Sequence, residues 1–199
     1  MNNETMVATL MATRTLITAN IIRAFRNVDR SAFVPTDRKE VAYEDRPLRL
    51  AVGATISQPS TVAIMIELLQ PIEHDRVLDI GSGSGWTTAL LAECVGPEGS
   101  VIGTEIATAL VAVGQRNVAS IKHAAIIPAT AQPGIPGEQF NKILVSAAVQ
   151  AIPDTLIQQL RVGGTMVIPV RNALHKVVRV SEDDLHTTAY PGFIFVPLR

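Results

Sequence analysis

The 199-residue chain is sparing in several residue types, and each scarcity closes off a class of function. Cys94 is its only cysteine, so no intrachain disulfide can form, and the residue reads as a small core side chain rather than a nucleophile. The four histidines, at positions 74, 123, 175 and 186, show no ligand spacing, which argues against a metal centre. Charge of one sign is also missing: the formal net charge of −1 gives no broad attraction to nucleic acid or to an anionic membrane. No uninterrupted apolar run approaches the roughly 18 to 20 residues that cross a bilayer. The chain opens on Met1-Asn2-Asn3-Glu4, without the basic and apolar blocks of a secretory signal. A cytoplasmic protein is therefore expected. Its residues 1–199 fit a single domain, and an apolar fraction of 47% suffices for a substantial core.

What is present centres on residues 76–106. An apolar run, Arg76-Val77-Leu78-Asp79-Ile80, leads into the glycine loop Gly81-Ser82-Gly83-Ser84-Gly85. A helical pattern follows from Trp86 to Val95, then a second strand-like run, Ser100 to Glu105, ending in an acid. Strand, tight turn, helix and acid-tipped strand make half of a nucleotide-binding α/β unit. Glycines in the turn let the backbone approach a ligand and present N–H groups at the start of the helix. Glu105, twenty positions after Gly85, is placed to accept hydrogen bonds from both hydroxyls of a ribose; the bland alternative is an ordinary strand-end acid. A dinucleotide fingerprint needs Gly-x-Gly-x-x-Gly, and its third glycine position is occupied by Trp86. A nucleophile elbow needs serine at the centre of Gly-x-Ser-x-Gly, where this chain has Gly83. Gly-x-Gly-x-Gly suits S-adenosyl-L-methionine better, because that ligand presents an amino-acid head rather than a pyrophosphate.

Around this centre, Glu4 to Arg26 carries apolar groups near helical spacing and predicts one or two helices. Asp29, Arg30 and Pro35 mark turns. Two turn-rich segments, residues 42–48 and 54–59, bracket a short extended piece, a long connection of the kind that often carries function. Pro59 then opens a helix over Ser60 to Leu69. Beyond Glu105 the pattern predicts a helix over Ala107 to Ile121, a strand over Ala124 to Ile127, an irregular loop over Pro128 to Glu138 and a strand over Phe140 to Val145. A helix over Pro153 to Leu160, a turn at Gly163-Gly164 and a strand over Thr165 to Val170 follow. Lys176 to Val180 and Phe193 to Leu198 read as an antiparallel pair joined through the acids Glu182-Asp183-Asp184. The fold class is α/β: a Rossmann-like, doubly wound, mostly parallel sheet with an antiparallel C-terminal edge and an N-terminal helical extension.

Several of these segments together resemble the protein-L-isoaspartate O-methyltransferase family. The resemblance is carried by Ala32-Phe33-Val34-Pro35, by Ala42 to Leu48, and above all by Thr55-Ile56-Ser57-Gln58-Pro59. It continues through Val77 to Gly85, Gln159-Leu160, Gly163-Gly164 and Val167-Ile168-Pro169-Val170. It implies a methyltransferase using S-adenosyl-L-methionine on the free α-carboxylate of L-isoaspartyl residues, whose ester then cyclises to a succinimide and begins repair. The expected partners are peptides or proteins containing L-isoaspartate, with no nucleic acid and no membrane, and the enzyme is expected to be a monomer. Residues 1–70 would supply helices and substrate loops, 71–170 the cofactor-binding core and 171–199 a C-terminal β segment.

By that resemblance Ser57 orients the recipient carboxylate; its bland alternative is a helix cap. Ala54, Thr55, Ile56, Tyr43 and Asp45 join it as substrate-side candidates, and the last two could equally be loop packing and a turn acid. Asp79, Gly81, Ser82, Gly83, Ser84, Gly85, Glu105 and Thr130 are the cofactor-side candidates. A carboxylate with an unperturbed pKa of about 4 is ionised at neutral pH, so no general base is needed, and alignment alone can contribute on the order of 7 to 11 kcal/mol. Two segments depart from the family pattern. Ala129-Thr130-Ala131 stands where Gly-Asp-Gly is usual, and Phe140-Asn141 where Phe-Asp is usual. Methylation of a different peptide carboxylate, or an inactive peptide-binding relative, are the alternative functions.

Overall fold

The computed structural model describes residues 1–198. Two helices open the chain, α1 (Asn3–Ala12) and α2 (Ala19–Asn27), and short 3-10 turns then lead to a two-stranded hairpin of β1 (Leu48–Arg49) and β2 (Thr55–Ile56). Next come α3 (Pro59–Leu69), β3 (Arg76–Ile80), α4 (Trp86–Val95), β4 (Ser100–Glu105), α5 (Thr108–Val118), β5 (Ala124–Pro128) and β6 (Phe140–Val145). The chain continues as α6 (Asp154–Gln159), β7 (Leu160–Val170), β8 (Ala173–Arg179) and β9 (Leu185–Pro191).

Seven strands form one sheet in the order β5-β4-β3-β6-β7-β8-β9, parallel from β5 to β7 and antiparallel at β8 and β9. The chain starts at β3, builds outward through β4 to β5, then returns to β6 on the other side of β3. That reversal leaves a crevice at the carboxyl ends of the strands, where open α/β sheets bind ligands.

Strand alternation divides the core in two. Val77, Leu144 and Val167 face a cluster with the helices α1 to α5, while Leu78, Ile143 and Met166 face a smaller one closed by Leu156 of α6. β3 is buried over four of its five residues, as a central parallel strand should be. Asn141, at the amino end of β6, accepts a hydrogen bond from the Arg76 N–H at 2.9 Å through its side-chain oxygen. It braces two strands at the end of the sheet opposite the crevice, so its departure from the family's aspartate does not bear on the ligand site.

Two expectations need correction. Phe193 to Leu198 is not a strand paired with Lys176 to Val180; the partner of β8 is β9, and the acids Glu182 to Asp184 form the turn between them. β9 escapes pattern reading because its sequence, Leu-His-Thr-Thr-Ala-Tyr-Pro, is polar and largely exposed. Residues 193–198 instead cross the end of the sheet, with hydrogen bonds from Ala148 N–H to Val196 O and from Leu198 N–H to Ala148 O, each at 2.8 Å. Gly163-Gly164 does not start a separate strand either. β7 runs from Leu160, and the glycines lie within an irregular register against β6, with Gly163 at φ 79°. Among the described residues, no helix is long and apolar enough to cross a membrane.

Candidate active site

The crevice holds a cavity of about 740 Å³ between the glycine turn and the β1–β2 hairpin. On its sheet side the turn is fixed by its own backbone. Gly81 and Ser82 donate to Thr104 O at 2.8 and 3.1 Å, and Gly85 donates to Ser82 O at 2.8 Å. Gly85 has φ 90°, and a β-carbon there would stand 3.0 Å from Ile126 Cδ1, so both conformation and space require glycine.

Glu105 ties turn and strand together: one carboxylate oxygen accepts from Gly83 N–H and the other from Ala107 N–H, both at 2.9 Å. Each oxygen keeps a lone pair for a further donor. Asp79 lies beneath, fully buried, accepting from the Thr87 and Thr88 hydroxyls at 2.7 Å each. Burial pushes its pKa up to about 6, the two hydroxyls opposing and the Glu105 charge reinforcing the rise.

Four buried polar atoms around the turn have no partner among the described residues: Asp79 Oδ1, Ser84 Oγ, Trp86 Nε1 and Thr104 Oγ1. Such groups are costly unless something pairs with them, and Ser84, Trp86 and Thr104 belong to the cavity lining.

The substrate-side loops are built differently. Ser57 lines the cavity and does not cap α3: the cap position is Gln58, which makes no side-chain cap bond. That work falls to Asp45, whose side chain accepts from Ser60 N–H at 2.8 Å. Tyr43 donates to Asp29 at 2.8 Å. Of the residues singled out from the sequence, Ala54, Thr55, Ile56, Ser57, Gly81, Ser82, Gly83, Ser84, Glu105 and Thr130 meet at the cavity. Tyr43, Asp45, Asp79 and Gly85 do not line it and support the residues that do. Thr130 is exposed and donates to Gln132 O at 2.9 Å.

Sequence reasoning missed further residues at the site. Gly103 allows the turn to lie against β4, since a β-carbon there would meet Ser82 Cβ at 2.9 Å; an isolated glycine within a strand was the available signal. Gln159 anchors the irregular loop, donating to Pro133 O at 3.0 Å and accepting from Ile135 N–H at 2.7 Å. Val52, β-branched yet at φ 51°, stands exposed at the mouth with Ile106 and Ile194. Buried Arg30, read from sequence only as part of a turn, carried no signal of its own.

The reversed strand order, the glycine turn and the acid at the tip of β4 define a Rossmann-like methyltransferase fold. A Plasmodium falciparum chain described as a protein-L-isoaspartate O-methyltransferase, solved with S-adenosyl-L-homocysteine, superposes with TM-score 0.89 at 23% identity, covering 100% of this chain and 99% of that one. The sequence relatives are nearer. A Methanothrix thermoacetophila protein-L-isoaspartate O-methyltransferase is 36% identical, covering 100% of this chain and 95% of its own length. One from Petrotoga mobilis is 37% identical, covering 89% of this chain and 86% of its own. The chain belongs to the protein-L-isoaspartate(D-aspartate) O-methyltransferase family, whose model matches residues 1–199.

Proposed function

We propose that this chain transfers a methyl group from S-adenosyl-L-methionine to the free α-carboxylate of L-isoaspartyl residues in damaged peptides and proteins, with Ser57 orienting the recipient. Family membership carries the reaction class, and the single structural observation that carries the site is the cavity lined jointly by Ser57 and the Glu105-braced glycine turn.

The residues present fit the donor. Glu105 would hold the ribose hydroxyls on its two remaining lone pairs, the Gly81–Gly85 backbone would face the amino-acid head, and unpaired polar atoms of Ser84, Trp86 and Thr104 await partners. Thr130 would stand on the adenine side, as a hydroxyl where the family usually has a carboxylate. When bound, the donor supplies an electrophilic methyl carbon on a sulfonium.

The protein's part is to bring a carboxylate oxygen to that carbon. The recipient is already ionised, so no residue need remove a proton, and the lack of an acid–base pair at the cavity is what the chemistry calls for. Ser57, released from capping by Asp45, offers its hydroxyl to one carboxylate oxygen and so turns the other towards the donor. Asp79 and Gly85 act as supports behind this arrangement, with Tyr43 and Asp45 on the loop side.

The net charge of −1 favours polypeptide over nucleic acid or membrane as the partner. Cys94 is buried and its thiol is pushed up to about 12 by that burial, which gives it no part in the transfer.

The deciding measurement is methyl transfer to paired peptides that differ only in carrying L-isoaspartate or L-aspartate. Methyl ester on the isoaspartyl member alone is expected; equal or absent labelling of both rejects the reading. Ser57→Ala should lower turnover roughly ten- to a hundredfold, the loss expected for a hydrogen bond to a charged group.

A further inference from the structure

We infer that Arg30 is a positioning residue for the transfer step, its guanidinium holding the Ser57 backbone and tying it to Trp86 at the end of the glycine turn. The inference rests on the role given to Ser57 above.

Arg30 opens a short 3-10 turn, Arg30–Phe33, and is 0% exposed. Among the described residues it makes no ion pair. Its two Nη groups donate to three backbone carbonyls in the loop, Nη1 to Ala42 O, and Nη2 to Arg46 O at 3.3 Å and Ser57 O at 3.0 Å, while buried Nε has no partner among the described residues. The guanidinium carbon Cζ lies over the Trp86 ring, 5.1 Å from its centroid. Trp86 is itself buried, is the first residue of α4, lines the cavity, and meets Phe25 edge-on with ring centroids 5.7 Å apart. One side chain thus grips the segment that carries Ser57 and sets its charge over the ring of the residue that follows the glycine turn.

Keeping a charge out of water is costly, and an apolar side chain of similar volume would avoid that cost only by leaving the carbonyls of Ala42, Arg46 and Ser57 without these donors. Burial does lower the Arg30 pKa, to about 10, with Asp45 opposing and Arg46 adding to the fall, yet the group stays charged at neutral pH. What the charge and the fork supply is direction, since they fix the carbonyls of residues 42, 46 and 57 relative to one aromatic face. Lysine cannot reproduce this, because a single ammonium has neither the fork nor the plane.

The chain's single tryptophan makes the arrangement visible, since all indole emission comes from Trp86. Arg30→Lys should bind S-adenosyl-L-homocysteine within about threefold of the unmodified protein by calorimetry. Its turnover on isoaspartyl peptide at saturating donor should fall at least tenfold, and its Trp86 emission should shift. In a Ser57→Ala background the same change should cost less than threefold, because both act through one carboxylate contact. Undiminished turnover in Arg30→Lys beside a loss in Ser57→Ala overturns this inference alone. So does an equal fold-loss in both backgrounds, or a fall confined to thermal midpoint. Undiminished turnover in Ser57→Ala overturns the Ser57 reading, and this inference with it. Should the Arg30 variant not fold, the unmodified protein decides. With S-adenosyl-L-homocysteine bound, saturating isoaspartyl peptide should shift Trp86 emission, and an unchanged spectrum overturns the coupling.

Discussion

The two walls of the cavity are held by different physics. On the sheet side, the glycine turn and Glu105 are fixed by backbone N–H groups donating to Thr104 O, Ser82 O and the Glu105 carboxylate, all within one strand–turn–helix–strand unit. On the loop side, between residues 29 and 59, regular structure amounts to short 3-10 turns and a two-pair hairpin, and individual side chains tie these pieces together. There Asp45 caps α3, Tyr43 donates to Asp29, and buried Arg30 collects carbonyls from three places. A wall built from secondary structure tolerates side-chain loss and fails at its glycines and its acid. A wall built from side chains fails wherever one of them is removed.

That contrast can be broken or sharpened by substitution. The largest effect is expected at Glu105→Ala, which removes two backbone anchors and the proposed ribose acceptor together. Donor affinity by calorimetry should fall by about a hundredfold, corresponding to about 2.7 kcal/mol, with the isoaspartyl-peptide preference retained. A smaller fall would mean that the backbone bonds alone hold the turn. Thr130→Asp should move the other way, raising donor affinity by about tenfold, equivalent to about 1.4 kcal/mol, while the peptide KM stays put. An altered peptide KM would show the two walls to be coupled at that loop.

Asp79 gives a pH signature of the sheet side. Its folded pKa, about 6, lies above the ordinary 3.8, so protonation favours the folded state. This contribution is fully present below the unfolded value and is lost as pH rises through about 6. Denaturant titrations of the ligand-free protein against Asp79→Asn should therefore show the unmodified protein gaining about 1 kcal/mol on the variant between pH 8 and pH 5. A constant difference would contradict the burial of the charge. The smallest effect is expected for Asp45→Ala: about 0.5 to 1 kcal/mol of stability, as for a lost helix cap. It should come with a raised peptide KM and unchanged donor affinity, and a change in donor affinity instead would erase the distinction between the walls.

The same division explains what could be read from the chain beforehand. Residues 76–106 were legible because a near-continuous apolar run, three glycines and an acid at fixed offsets admit few three-dimensional solutions. β9 was not, since its stability comes from backbone pairing with β8 at an exposed edge and leaves no apolar signature. The apolar Phe193 to Leu198 suggested a strand by composition, but the segment crosses the sheet's end outside any ladder, with Phe193, Phe195 and Leu198 partly covered and Ile194 and Val196 exposed. Ser57 could be named from its pentapeptide, but its freedom from capping depends on Asp45, fifteen residues before the bonded Ser60 N–H. Arg30 was illegible for a similar reason: its partners are carbonyls, which every residue has, so no residue type betrays them.

Glu105 has a further consequence for turnover. Freezing a long carboxylate side chain costs up to about 2 kcal/mol of rotamer entropy, and here Gly83 and Ala107 have already imposed that order during folding. On the ribose role proposed for Glu105, incoming donor meets a rigid clasp, and so does the demethylated product that leaves it. Neither arrival nor departure has to reorganise the acid, so discrimination between the two must come from the sulfonium charge and the methyl group rather than from the sugar.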